Sequence, residues 1–242
     1  MNNCKNCGEP INGNYCSNCG HPAKLKRIDS RYIIQEVGDF LFANKGMIYT
    51  IKKVLTSPGK SVRQFLTEDR YRFVKPITFL FITSLIYALA VYLSRIGIED
   101  YYLQQLPEGI EFPTFNLIMS WIINYPGYSS ILSGLFVAFL IKLFFRKSGY
   151  NLFEIFILMC FVSGISALFG VVVLIFQGLT GSNLIHISSV ISIVYYAWAI
   201  GQFFDRQKAV SYIKAFTACV LGYFLFGFLV IFVAIFIDMV IK

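Results

Sequence analysis

Residues 57–76, SPGKSVRQFLTEDRYRFVKP, run straight into residues 77–95, ITFLFITSLIYALAVYLSR. The fold turns on this junction between a basic, Pro-Gly-punctuated segment and an apolar one. Positions 76–94 carry no charged side chain. At 1.5 Å rise per residue they reach nearly across a hydrocarbon core of about 30 Å. Lipid offers no partner for backbone N–H and C=O groups, so the run must be helical. Arg63, Arg70, Arg72 and Lys75 crowd its N-terminal side. By the positive-inside rule that side stays in the cytoplasm, which orients everything downstream.

Composition agrees. The chain is 57% hydrophobic and 14% charged, with a mean hydropathy of +0.65. Soluble domains carry about 25% charge, so this is the profile of a polytopic membrane protein. Of the net charge of +8, +7 falls in residues 1–75. A small basic cytoplasmic module therefore precedes a nearly neutral membrane body. The N-terminus opens on cysteines and asparagines rather than an apolar run, so the first span is expected to act as an uncleaved signal anchor.

Residues 4–20, CKNCGEPINGNYCSNCG, contain two Cys-x-x-Cys-Gly knuckles. Each places two thiols on one side of a tight turn, and the glycine after it permits the positive φ such a turn needs. Asn12-Gly13 between them is a hairpin-turn signal. Cys4, Cys7, Cys16 and Cys19 suit one structural, tetrahedral Zn²⁺, whose binding can fold a segment too short for its own core. The competing reading is a pair of disulfides, which needs an oxidising compartment. A redox Cys-x-x-Cys lacks the expected βαβ context. His21 follows the fourth cysteine and is read as a bystander, since four ligands are already present.

Residues 1–23 thus form a ribbon, and 24–75 a basic juxtamembrane region. Lys24–Arg31 is a tether, and Asp29 or Ser30 caps an expected helix over 31–43. Met47, Ile48, Ile51, Val54 and Leu55 recur at helical spacing opposite Lys52 and Lys53. Pro58 ends that helix and starts another, with Val62, Phe65 and Leu66 opposite Lys60 and Arg63. Both are too short to span. Such helices lie in the headgroup layer, with Lys45, Lys52, Lys53, Lys60, Arg63, Arg70, Arg72 and Lys75 contacting anionic lipids, or pack on the spans.

Here the chain resembles a known family. The double-knuckle ribbon, Tyr49-Thr50 and Pro58-Gly59-x3-Arg63-x-Phe65-x4-Arg70-x5-Pro76 leading into a span are similar to the bacterial domain-of-unknown-function family numbered 3667. The likeness covers roughly residues 4–90. Glu68-Asp69 stands where that family commonly shows Gly-Lys before the arginine matching Arg70. The resemblance implies a ribbon joined to a multi-span membrane domain and no particular activity.

Beyond the first span, Glu99, Asp100, Glu108 and Glu111 make residues 95–127 acidic, as an outer loop should be. Phe115–Tyr125 is apolar but too short to cross, and reads as an interfacial or re-entrant helix broken by Pro126-Gly127. Four further spans follow, over 128–145, 152–176, 184–204 and 215–237. Basic connectors (Lys142, Arg146 and Lys147; Arg206, Lys208 and Lys214) follow the second and fourth spans, and the linker between the third and fourth is uncharged. The expectation is an all-α polytopic membrane protein, five transmembrane helices occupying 76–242, N-terminus cytoplasmic and C-terminus outside, in the bacterial inner membrane.

The mid-membrane is almost empty of ionisable groups. Lys142 can snorkel, Glu154 sits in a first turn where the helix dipole favours it, and Asp238 and His186 lie near the outer interface. Cys160 and Cys219 read as small apolar packing residues. No HExxH, GxSxG or phosphate-cradling loop appears, so the protein is not expected to be an enzyme. Small residues recur at four-residue spacing: Ser130, Gly134 and Ala138; Ser166 and Gly170; Ala218 and Gly222; Ser188 and Ser192. They suit close helix packing within a bundle, or a homo-oligomer seam. The favoured function is a scaffold whose ribbon recruits a protein partner; a small transporter, channel or lipid-handling protein is the alternative. Nucleic acid is disfavoured, since the ribbon offers only Tyr15 for stacking.

Overall fold

The computed structural model describes residues 3–10, 13–22, 46–94, 113–181 and 184–241. The tether, the helix expected over 31–43, Lys45 and the acidic residues 99, 100, 108 and 111 lie outside the described residues. Among the described residues there are eight α-helices and no strand. α1 (Met47–Thr56) and α2 (Pro58–Thr67) lead into α3 (Pro76–Ser94). α4 (Pro113–Asn124) and α5 (Pro126–Phe144) follow, then α6 (Leu152–Thr180), α7 (Ile185–Phe204) and α8 (Ala209–Ile241).

Local chemistry sets the helix starts. α2, α3, α4 and α5 all open on proline, whose missing N–H is no loss at a first helical position. α6 opens on a capping box: the Asn151 side chain accepts from the Glu154 N–H at 2.8 Å, and the Glu154 carboxylate accepts from the Asn151 N–H at 2.7 Å. It ends at Gly181, in the left-handed region with φ 68°.

Five helices are long and apolar enough to cross a membrane: α3, α5, α6, α7 and α8. The first span has the expected bounds. The third runs to Thr180 rather than 176, and the fifth begins at Ala209 rather than 215. The expected limits followed the edges of the apolar runs, whereas backbone hydrogen bonding carries each helix through polar turns at its ends. At 33 residues α8 is roughly 50 Å long, so it tilts or projects beyond a 30 Å core.

α6 is the central post. Its apolar window is 67% buried, against 11% for α8, which faces outward along most of its length. α3 lies along α6, Phe79 meeting Phe161 with ring centroids 5.7 Å apart. α5 crosses α8 where a side chain on Gly222 would come within 2.9 Å of the Val137 Cα. That glycine is required by close approach, and it places the Gly134/Ala138 and Ala218/Gly222 faces inside one bundle.

α4 is shorter than a span, as expected of 115–125. Its first turn is tied to the end of α8 by a hydrogen bond from the Thr114 hydroxyl to Asp238. It lies at the end of the bundle that holds residues 94, 126, 180 and 185. The opposite end, called here the ribbon end, holds residues 76, 144, 152, 204 and 209.

Candidate metal centre and the layer it docks on

Each knuckle is one tight turn. The N–H of Gly8 donates to the Cys4 carbonyl at 2.9 Å, and that of Gly20 to the Cys16 carbonyl at 2.8 Å. Both glycines take positive φ, 82° and 71°, as their position after the knuckle requires. Isolated bridges pair Asn3 with Pro10 and Tyr15 with Pro22, closing each loop.

The turns bring four thiols together. The Sγ atoms of Cys4, Cys7, Cys16 and Cys19 all lie within 4.8 Å of one another, with Cys4–Cys19 and Cys7–Cys16 at 3.5 Å. A tetrahedron with metal–sulfur distances of about 2.3 Å has edges of roughly 3.8 Å, so the four donors fit a single ion. A disulfide needs sulfurs about 2 Å apart, and none of these cysteines is paired. The main-chain N–H of His21 outweighs desolvation at Cys19 and holds its thiol down, at about 6. At Cys7 the main chain of Glu9 favours the thiolate, yet desolvation and the three neighbouring thiols push it up to about 11. At Cys4 desolvation is outweighed by main-chain hydrogen bonds from Cys7 and Asn6, which lower the thiol as well, and an incoming ion displaces the protons that remain on its donors.

His21 takes no place in this cluster. It is 3% exposed, and its Nε2–H donates to the Glu68 carbonyl at 3.0 Å. Its ring also meets Tyr71 at 5.4 Å. On the other knuckle, Asn6 receives two hydrogen bonds from Arg72: Nε to Oδ1 at 3.2 Å and Nη2 to the main-chain oxygen at 3.0 Å. Buried Asp69 organises the same turn, accepting from the N–H of Tyr71 at 2.9 Å and pairing with Arg72 at 3.4 Å. The ribbon is therefore docked on residues 68–72 by one residue from each knuckle. Glu68 supplies the carbonyl of this dock, and Asp69 holds its turn and Arg72.

The other residues that carry the resemblance hold this layer to the bundle. Thr50 is buried in α1 and accepts from the Val74 N–H at 2.9 Å. Gly59 donates to the Gln202 side chain of α7 at 2.9 Å, and a Cβ there would fall 2.4 Å from the Gln202 carbonyl carbon. Arg63 donates to the main-chain oxygens of Gln202 and Phe203, the carbonyls at the C-terminal end of α7 where a cation is favoured. Phe65 is fully buried, edge-on to Phe161 of α6 and Phe73. Arg70 turns back onto the carbonyls of Phe65 and Leu66, closing α2. Residues 44–88 match the family model described as Protein of unknown function (DUF3667). No curated protein and no solved structure matches the chain. The segment that matches this family model is thus the clasp between the ribbon and the spans.

This geometry sorts the expected headgroup contacts. Arg63, Arg70 and Arg72 are directed at main-chain or side-chain acceptors of the protein itself. Lys52, Lys53 and Lys60 are exposed, Lys53 lying 5.7 Å from the Tyr49 ring, and Lys75 is half-buried. The apolar face read for α1 is also revised. Thr50 and Val54 point inward, whereas Ile48 and Leu55 are exposed on the same face as Lys52. Val62, Phe65 and Leu66 of α2 are buried as expected, and Pro58, Gly59 and Ser61 join them. α2 therefore packs on the spans.

Two receptors on α7 escaped the sequence reading. Gln202 takes α2, and Tyr195, one turn pair earlier, donates its hydroxyl to the Val54 carbonyl of α1 at 2.9 Å. The signal was present: a buried amide in an apolar run must find a partner.

Proposed function

We propose that the protein is a non-enzymatic scaffold of the bacterial inner membrane that presents a zinc ribbon at the cytoplasmic surface to a partner protein. The supporting observation is the docking of the ribbon through His21 and Arg72. A module held in one orientation loses less freedom when a partner binds than one on a loose tether. An all-thiolate donor set favours zinc over hard cations. Lys142, Arg146, Lys147, Arg206, Lys208 and Lys214 gather at the ribbon end, which the positive-inside rule assigns to the cytoplasm. Lys52, Lys53 and Lys60 serve anionic headgroups there, flanked by Ile48 and Leu55. Tyr15, two-thirds exposed between the knuckles, is a contact available to the partner.

The test is a comparison of cross-linked membrane complexes of the full-length protein and of Cys16→Ser. Loss of a defined partner in the variant, with the bundle intact, supports recruitment. Identical partners in both samples would refute it.

A further inference from the structure

At the end of the bundle away from the ribbon, Gly170 of α6 meets the Tyr87 ring of α3, where a Cβ would fall 2.6 Å from it. Beside this contact, Ser166 and Gly170 of α6 and Ser188 and Ser192 of α7 line a cavity of about 730 Å³. α8 contributes Cys219, Val220, Tyr223 and Phe224, and α3 contributes Tyr87 and Val91. α4 roofs it with Met119, Ile122 and Ile123, one face of that helix. The short helix between the first two spans is therefore a cover as well as an interfacial element.

The wall selects its occupant by chemistry. No Lys, Arg, His, Asp or Glu is among the lining residues. A phosphate or carboxylate placed there would stay uncompensated in a low-dielectric space, at a cost of several kcal/mol. Most of the wall is apolar, so a water-filled pore is disfavoured too: each water needs two to four polar partners. The polar groups present are neutral: four seryl hydroxyls, tyrosines and the Gln177 amide. Gln177 accepts from the Leu184 N–H at 3.1 Å, which fixes its carboxamide at the rim. Tyr196 donates to Ser163 at 2.8 Å, which fixes its ring in the floor. At roughly 30 Å³ per water-sized group, this volume takes on the order of 20–25 non-hydrogen atoms, the size of one acyl chain with a small headgroup.

We propose that this cavity binds a neutral glycerolipid of the diacylglycerol class, one acyl chain inside and the glycerol hydroxyl and ester groups among Ser166, Ser188, Ser189 and Ser192. The surrounding bilayer supplies such a molecule directly. Met119 in the roof lets the cover adapt to chain length, its thioether being flexible and unbranched.

The experiment uses the full-length protein in nanodiscs and a diacylglycerol bearing a diazirine on one acyl chain. After irradiation and digestion, adducts are expected on peptides covering 166–177 and 188–196. Excess unlabelled diacylglycerol should remove them, and phosphatidylglycerol should not. Ser192→Phe, which fills the cavity, should reduce labelling about tenfold, equivalent to about 1.4 kcal/mol of affinity. Adducts confined to outward residues of α8 such as Phe228 and Phe232, or equal competition by phosphatidylglycerol, would overturn the proposal. Should Ser192→Phe fail to fold, the competition experiment on the unaltered protein decides alone.

Discussion

The imidazole of His21 donates from Nε2–H to the main-chain carbonyl of Glu68 across 3.0 Å, joining the second knuckle to the turn that feeds the first span. The main chain of His21 serves the thiol cluster, its N–H favouring the Cys19 thiolate, while its ring is the latch by which the cluster is held. Its partner is a backbone atom, so the contact depends on the shape of the 68–72 turn, and that shape depends on buried Asp69.

The latch and the metal should therefore separate experimentally. In His21→Ala, metal content stays near one ion per chain, since all four donors remain. Amide hydrogen exchange should rise about tenfold at 13–22 and 67–72, the equivalent of a net hydrogen bond of about 1.4 kcal/mol. Loss of the metal together with the contact would mean that His21 is part of the centre after all.

Arg63 and Lys60 lie on the same short helix with opposite duties. Arg63→Met removes charged hydrogen bonds to the end of α7 and should lower the unfolding free energy by about 1.5–3 kcal/mol. The change of Lys52, Lys53 and Lys60 to Gln should leave the unfolding temperature in place and reduce the anionic lipid that co-purifies. The full-length protein is needed, because α2 alone would expose the face it buries on α6 and α7. Equal destabilisation by both sets would contradict the division.

Gly59 admits no side chain. A Cβ 2.4 Å from the Gln202 carbonyl carbon has only backbone to displace, so Gly59→Ala should cost about 1–3 kcal/mol in thermal unfolding. Gln202→Leu should cost a similar amount by leaving the Gly59 N–H without its acceptor. An unchanged melting temperature in Gly59→Ala would show that α2 is not seated on α7.

Topology follows from the spans and the cations at their ribbon end. A reporter active only in the cytoplasm should work when fused after Lys147 and be silent after Lys242. The reverse pattern would invert the orientation.

Much of this was legible because lipid leaves the backbone few choices. Uninterrupted apolar runs such as 76–94 must be helices, and paired knuckles must gather their sulfurs. Less legible were contacts whose partners are far away in sequence. Glu68-Asp69 read only as a departure from the Gly-Lys of the resembled family, yet the Glu68 carbonyl takes His21 and Asp69 holds Arg72, which donates to Asn6. Arg63 looked like a headgroup ligand because its target is a carbonyl 139 residues on. Ser166 and Ser192 looked like packing positions because spacing alone cannot distinguish a small residue facing a neighbour from one facing a cavity. The limits of α8 were misplaced because hydropathy reports lipid contact rather than hydrogen bonding.

The claim on which the rest depends is that a metal-ordered ribbon is docked against the turn before the first span. It is tested most directly by replacing Tyr71, whose ring lies 5.4 Å from that of His21, with p-benzoyl-phenylalanine in the full-length protein in membranes. Irradiation should join residue 71 to the peptide containing residues 13–22, and prior removal of the metal, or Cys16→Ser, should abolish that product. A cross-link absent from the intact protein, or one that persists unchanged after the metal is removed, would contradict the account.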